Sequence, residues 1–423
     1  MIDLLIKNGK LAGKKELADI ACDKGKIIDT GRCLDMPARE TVDAGGNLIT
    51  PPFVDSHIHL DTCLTAGTPR MNQSGTLLEG IRIWGELLPS LTPDEIAGRV
   101  RKMLTWSLAK GNLHLRSHVD ISGDSLMAPE VLMDLKKEMA PFIDLQLVAF
   151  PQQGIFRNPK GLENMERALD MGLDVVGGIP HFEPTTALGA ESVKILCGLA
   201  AERGLMVDMH CDESDDPLSR HVETLAWETR EKGLQGRVVG SHLTSMHGMD
   251  NYYVTKLIPL MADAGLSAVC NPLVNMNLQG RHDSYPKRRG LMRVPELMDA
   301  GINVSLGHDD VMDPWYPLGS HDMLDVAHMG VHALHMTGSD QIRALFDAVT
   351  INGAKTLNIE GYGLEKGCNA DMVILQAANR IEAIRLRPVR LFVIRRGRII
   401  SRMAPETAAL DLDGETISTE FKL

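Results

Sequence analysis

His57-Ile58-His59 is the first place in the chain where residue type and spacing could do chemistry. In an extended strand, side chains at i and i+2 share a face, so these two imidazoles project together and can grip one cation. A metal needs three or four ligands, so a pair alone is not a site. His210 and Asp309 each follow a later apolar run of the same kind and complete a set of three imidazoles and one carboxylate. Such a set suits Zn²⁺ or Fe²⁺ better than Mg²⁺ or Ca²⁺. A metal there lowers the pKa of bound water towards neutrality and creates a hydroxide. Asp309 can accept a proton as that hydroxide attacks an electron-poor carbon. Glu213, three residues after His210, lies outside the ligand set and can shuttle protons as general acid and base. The plainer reading makes Glu213 a solvent-facing residue that opens a helix, the role expected of Asp212, Asp215 and Asp216. His242 ends another apolar run and can orient the hydroxide and stabilise a tetrahedral intermediate; its plainer reading is a core histidine. This machinery hydrolyses C–N bonds without naming the substrate.

These residues must be positioned by the elements that carry them. Eight runs between about Pro51 and Glu365 are apolar first and polar at their ends, and longer helical patterns separate them. They are NLITPPFVDSHIHL, NLHLRSHVDIS, IDLQLVAFPQ, DVVGGIPHFE, LMVDMHCDE, RVVGSHLTS, SAVCNPLVN and INVSLGHDDV. Strands that alternate with helices pair in parallel through crossovers. Eight such units predict a (β/α)8 TIM-type barrel, whose C-terminal strand ends converge on one face. The competing doubly wound sheet lacks its Gly-x-Gly-x-x-Gly turn. Helices are expected over ESVKILCGLAAERG and DDPLSRHVETLAWETREKG, and His321, His328, His332 and His335 fall on a further helical stretch. Residues 1–50 and 366–423 read instead as short strands and hairpins, and together they are expected to form one small β-sandwich-like domain flanking the 51–365 catalytic barrel.

Composition narrows the function. The net charge of −12 argues against a nucleic-acid surface and favours a small neutral substrate. The 7 cysteines show no CxxC spacing and read as reduced thiols. The opening residues lack signal-peptide features and no stretch of 18 apolar residues occurs, so a cytoplasmic protein with no membrane span is expected.

PPFVDSHIHLDT, FPQQGI, IPHFE, DMHCDESDD, SHLTSMH, NPLVNMNLQGR, YPKRRG and GHDDVMDPWYPLG resemble bacterial cytosine deaminases of the amidohydrolase superfamily, over essentially the whole chain. His-x-His with a distal Asp marks the superfamily only; FPQQGI, HCDE and GHDDVMDPWYPLG are narrower. The resemblance implies one metal, typically Fe²⁺ with Zn²⁺ able to replace it, on His57, His59, His210 and Asp309. It implies that Gln152 hydrogen-bonds the pyrimidine carbonyl and ring nitrogen, that Glu213 donates a proton to N3 and that His242 is the hydroxide-orienting base. It places Asp310 at the amino and C5 edge and Trp315 in the pocket wall, and it implies a homo-oligomer, commonly a hexamer. The fourth run, GGIPHFE, lacks the bridging Lys of binuclear relatives, so one ion is favoured. Cytosine is the expected substrate, since a carboxylate at position 310 leaves little room for a C5 methyl. Isoguanine, 5-methylcytosine and creatinine are the alternatives, with a cyclic amide hydrolase and a non-catalytic superfamily member further off.

Overall fold

The computed structural model describes residues 1–14 and 16–423. The chain begins with β1 (Ile2–Leu11), β2 (Leu17–Asp23), β3 (Lys26–Gly31), β4 (Ala38–Asp43) and β5 (Leu48–Thr50). Along β1, Leu4 and Ile6 share one face by the strand's period of two and enter a small core with Ile20, Ile49, Met372 and Ile394, while Leu5 between them is buried outside that cluster. Eight parallel strands follow: β6 (Phe53–Ile58), β7 (Asn112–Asp120), β8 (Asp144–Phe150), β9 (Val175–Gly178), β10 (Met206–Cys211), β11 (Val238–His242), β12 (Ser267–Cys270) and β13 (Asn303–Leu306). Each of the eight apolar runs yields one of them, and together with the helices between them they form the (β/α)8 barrel. Every residue of β7 is buried, as expected of a strand covered on both faces.

The C-terminal strands are β14 (Met372–Leu375), β15 (Arg390–Arg395), β16 (Arg398–Arg402), β17 (Ala408–Leu412) and β18 (Glu415–Thr419). β14 pairs antiparallel with β5, so one sheet runs β16-β15-β14-β5-β1-β2-β3 and joins both ends of the chain. The strand-like segment TAALDLDGETI departs from this pattern. Among the described residues β17 and β18 pair only with each other, and their side chains are mostly exposed.

Two helical expectations also shift. DDPLSR stays irregular and the helix starts at His221, because the buried Asp212 carboxylate accepts the His221 and Val222 N–H groups at 2.9 and 2.8 Å and so caps that end. His328 and His332 lie on the helix Met323–Ala333, but His321 precedes it and is buried against Asp55, and His335 follows it. All seven cysteines are free, and no described helix is long and apolar enough to cross a membrane.

The barrel's seam bears directly on the site. β6 and β13 share no continuous ladder among the described residues; a single bridge, Ile58 opposite Asp309, joins them. There His59 N–H donates to Asp309 O at 3.0 Å and Asp309 N–H to His57 O at 2.7 Å. Lower down, Val54 N–H turns instead to Val349 O. The Asp55 carboxylate straddles the seam, with Oδ1 accepting the backbone N–H groups of His57 and His308 at 3.1 and 3.0 Å. Gly307 permits this approach, since a Cβ there would stand 2.7 Å from the His57 Cβ.

One buried guanidinium fastens the terminal sheet to the barrel. Arg395 on β15 reaches Asp144 at the start of β8 at 2.7 Å and Asp371 at 2.9 Å. Arg395→Met is expected to destabilise the protein by about 2–3 kcal/mol, the low end for a buried pair because Asp144 is half-exposed. The check is the urea midpoint at neutral pH. Burial pushes the Asp144 carboxyl up, but bonds from His114 and Arg395 together hold it below the usual range. A depressed carboxylate stabilises the fold above its unfolded pKa of about 4, and that contribution is lost as pH falls through the folded value. The gap between variant and wild type should therefore narrow in acid.

Candidate active site

The chemistry-bearing side chains leave the barrel at or just past the strand ends. β6 ends at Ile58, so His57 is its penultimate residue and His59 the first beyond it. His210 lies on β10, and Asp309 follows β13. One ligand atom from each of these four residues lies within 4.8 Å of the others. His59 Nε2 is 3.0 Å from His210 Nε2, and Asp309 Oδ1 is 3.3 Å from His57 Nε2 and 3.5 Å from His59 Nε2. Asp309 and His242 both take left-handed backbone, with φ of 69° and 72°. Non-glycine residues rarely accept that conformation, which costs on the order of 1–3 kcal/mol and concentrates at functional sites.

The donors fit a divalent cation. Burial, reinforced by the neighbouring rings, holds His57 and His210 far below the ordinary imidazole range, and burial brings His59 down to about 3. All three rings are therefore neutral and present lone pairs. Burial and the nearby Glu213 carboxylate push Asp309 far above the ordinary range, a strain that a bound cation relieves. Both His57 ring nitrogens, His210 Nδ1 and Asp309 Oδ2 are buried without a hydrogen-bond partner, and buried polar atoms are rarely left so. A second cluster, His57, His118 and Asp208, adjoins the first. Its carboxylate is already engaged by the Arg116 guanidinium at 3.0 Å and Ser241 Oγ at 2.6 Å. A cation already occupies that position, so the geometry favours one ion.

A cleft of about 320 Å³ opens above these donors. His59, His210 and Asp309 form part of its lining, with His57 buried beneath. Glu213, His242, Gln152, Asp310 and Trp315 also line it, so the structure brings the candidate ligands, proton-transfer groups and substrate contacts to one place. Glu213 is buried and faces the cleft, not solvent, and burial pushes its carboxyl up to about 8. Its Oε1 stands 3.4 Å from His242 Nδ1.

Two groups of residues here escaped sequence reasoning. Leu77, Ile179 and Leu278 supply an apolar wall, and nothing in their local sequence distinguishes them from core residues. Asn271, just past β12, and Asn275, on the short helix Pro272–Leu278 that follows, stand out in the sequence only as polar residues closing the seventh run, and their role appears only in three dimensions. Asn271 N–H donates to Asn275 Oδ1 at 3.3 Å, which orients the amide so that Asn275 Nδ2 donates to His242 Nδ1 at 2.9 Å. Neutral His242 therefore carries its proton on Nε2.

The chain is similar to known proteins over nearly its whole length. A sequence profile described as "Amidohydrolase family" matches residues 40–401. N-isopropylammelide isopropyl amidohydrolase of Pseudomonas sp. (strain ADP) is 30% identical over 409 residues, covering 94% of this chain and 97% of that protein. Pterin deaminase of Rhizobium rhizogenes is 28% identical over 405 residues, covering 93% and 90%. The crystal structure of 5-methylcytosine deaminase from Klebsiella pneumoniae liganded with 5-fluorocytosine superposes with a TM-score of 0.93 at 43% identity, covering 95% of this chain and 98% of that one.

Proposed function

This chain belongs to the amidohydrolase family, and from that premise we propose that it hydrolyses the exocyclic C–N bond of a cytosine-type base, 5-methylcytosine ahead of cytosine, releasing ammonia. The observation that carries the reading is the convergence of four metal donors, Glu213, His242 and the Gln152 amide on one small cleft. The preference for the methylated base rests on the likeness to 5-methylcytosine deaminase and on the apolar wall of Leu77, Ile179 and Leu278. Against it stands the crowding expected from Asp310.

His57, His59, His210 and Asp309 would hold one divalent ion, Fe²⁺ or Zn²⁺, whose Lewis acidity makes water nucleophilic near neutral pH. The chain's own residues do the rest. Gln152 offers a donor and an acceptor to the carbonyl and ring-nitrogen edge of the base. Glu213, kept protonated by burial, gives its proton to ring N3, which makes the adjacent carbon electrophilic. Asp309 takes one proton of the attacking water and passes it to the departing amine, and the water's other proton restores the acid form of Glu213. His242 acts as an oriented neutral ring: its Nδ1 already accepts from Asn275, so it positions and stabilises charge and does not remove a proton there. Asp310 borders the amino edge and Trp315 closes one side. A homo-oligomer in the cytoplasm is part of the same proposal, and sedimentation reads the former.

The test is ammonia release by the Fe²⁺- or Zn²⁺-loaded protein from 5-methylcytosine, cytosine, isoguanine and creatinine under one set of conditions. The highest kcat/KM on 5-methylcytosine is expected. A higher value on cytosine corrects the order of preference, and turnover of isoguanine or creatinine alone overturns the pyrimidine assignment.

A further inference from the structure

Helix α1 (Leu77–Leu87) opens behind the Thr76 cap and carries a glycine in its first turn. Gly80 is buried and its N–H donates to Thr76 O at 3.2 Å, an ordinary helical bond. Nothing in the backbone calls for glycine there, and among residues other than proline glycine is the poorest helix former while alanine is the best. The explanation lies across the helix surface. The Trp315 indole rests on the Gly80 backbone so closely that a Cβ at Gly80 would stand 2.4 Å from both Cδ1 and Nε1 of the ring. The residue is held there twice: the indole Nε1 donates to Leu77 O at 3.2 Å, and the Trp315 backbone N–H donates to Asp313 Oδ1 at 2.9 Å. The same ring walls the catalytic cleft and also borders a second cavity of about 550 Å³ beside Asn72 and Arg281. Trp315 is therefore a partition whose position is set by the absence of a side chain at residue 80.

We propose that Gly80 determines specificity: it lets the Trp315 indole recede into α1 and so fixes how wide a base the cleft admits. The proposal rests on the cytosine-type reading for its substrates. An alanine at 80 breaks the Nε1 bond to Leu77 O and drives the ring off the helix towards the cleft. A single methyl decides acceptance where a pocket wall is this close, and one carbon in such a pocket changes kcat/KM by about 10- to 200-fold.

The experiment compares wild type, Gly80→Ala, Trp315→Phe and the double variant, each metal-loaded, on 5-methylcytosine and cytosine. Gly80→Ala is expected to shift the kcat/KM ratio towards cytosine by about tenfold or more, with the fold intact by circular dichroism. In the Trp315→Phe background the same alanine should leave the ratio nearly unchanged, because the smaller ring clears the new methyl. A ratio that stays constant, that moves towards 5-methylcytosine, or that shifts equally in both backgrounds overturns the proposal. If wild type turns over neither pyrimidine, the substrate reading fails instead. Gly80 is then judged from Trp315 emission, taken as the difference between each protein and its Trp315→Phe counterpart. A shifted emission on Gly80→Ala supports the proposal, and an unchanged emission overturns it.

Discussion

Asp309→Asn is expected to cost about four orders of magnitude in kcat/KM and most of the bound metal. The substitution keeps the size and shape of the side chain, so packing alone would not produce such a loss. It removes the only negative charge among the four donors, whose other members are imidazoles held neutral by burial. It also removes the group proposed to move a proton between the attacking water and the departing amine, so binding and chemistry fail together. Elemental analysis of the purified variant beside ammonia release checks both arms. A variant that keeps a full complement of metal and more than about a tenth of the activity would sink the assignment of Asp309.

Glu213→Gln should separate those two arms. Glu213 stands outside the donor cluster, 3.4 Å from His242, so the variant is expected to retain its metal. A glutamine preserves the hydrogen-bonding outline but cannot give up a proton to the ring. kcat is therefore expected to fall about a thousandfold, in the range of a lost general acid, while KM changes little. A loss smaller than about tenfold would make Glu213 a mere neighbour of the reaction; loss of the metal would make it part of the ligand field.

How far the site could be read before the fold was known depended on the kind of signal. His57, His59, His210 and Asp309 were legible because each ends an apolar run, and barrel topology sends those ends to one face. The strands proved shorter than their runs: β9, β12 and β13 span four residues each, and the polar tails lie in the turns beyond. The i, i+2 argument for His57 and His59 held even though His59 falls past the end of β6, because the bridge to Asp309 continues the extended geometry. Asn275 was visible as a polar strand end but mute as to role, since its effect on His242 depends on an amide orientation fixed by a backbone group four residues away. Asp212 was misplaced at the surface for a similar reason. Its helix-capping bonds were foreseeable, but the ring of His221 at 2.8 Å, which makes burial of the carboxylate affordable, was not. Gly80 carried no signal in the sequence, since its neighbour Trp315 is remote along the chain.

With the proposed ion in place, the lone bridge at the seam would make metal supply a matter of protein quality control as well as catalysis. His57 and His59 stand on one lip of the β6–β13 join and Asp309 on the other, so an ion bound by all of them would staple the barrel where β6 and β13 share one bridge and no ladder among the described residues. Without that staple the join depends on the two backbone bonds at Asp309, two more beyond the strand ends (Leu64 N–H to Val311 O and Ala66 N–H to Met312 O), the Thr62 hydroxyl on Asp313 and the Asp55 carboxylate, and opening it would bare two strand edges of the kind that recruit other chains. The measurable sign is amide exchange at His59 and Asp309, which should be slow in the loaded protein and distinctly faster after chelation; equal rates in both states would show that the join needs no ion. A cell short of metal would then face newly made chains that lack activity and are also prone to aggregate, and the same ion that arms the enzyme would serve as its folding checkpoint.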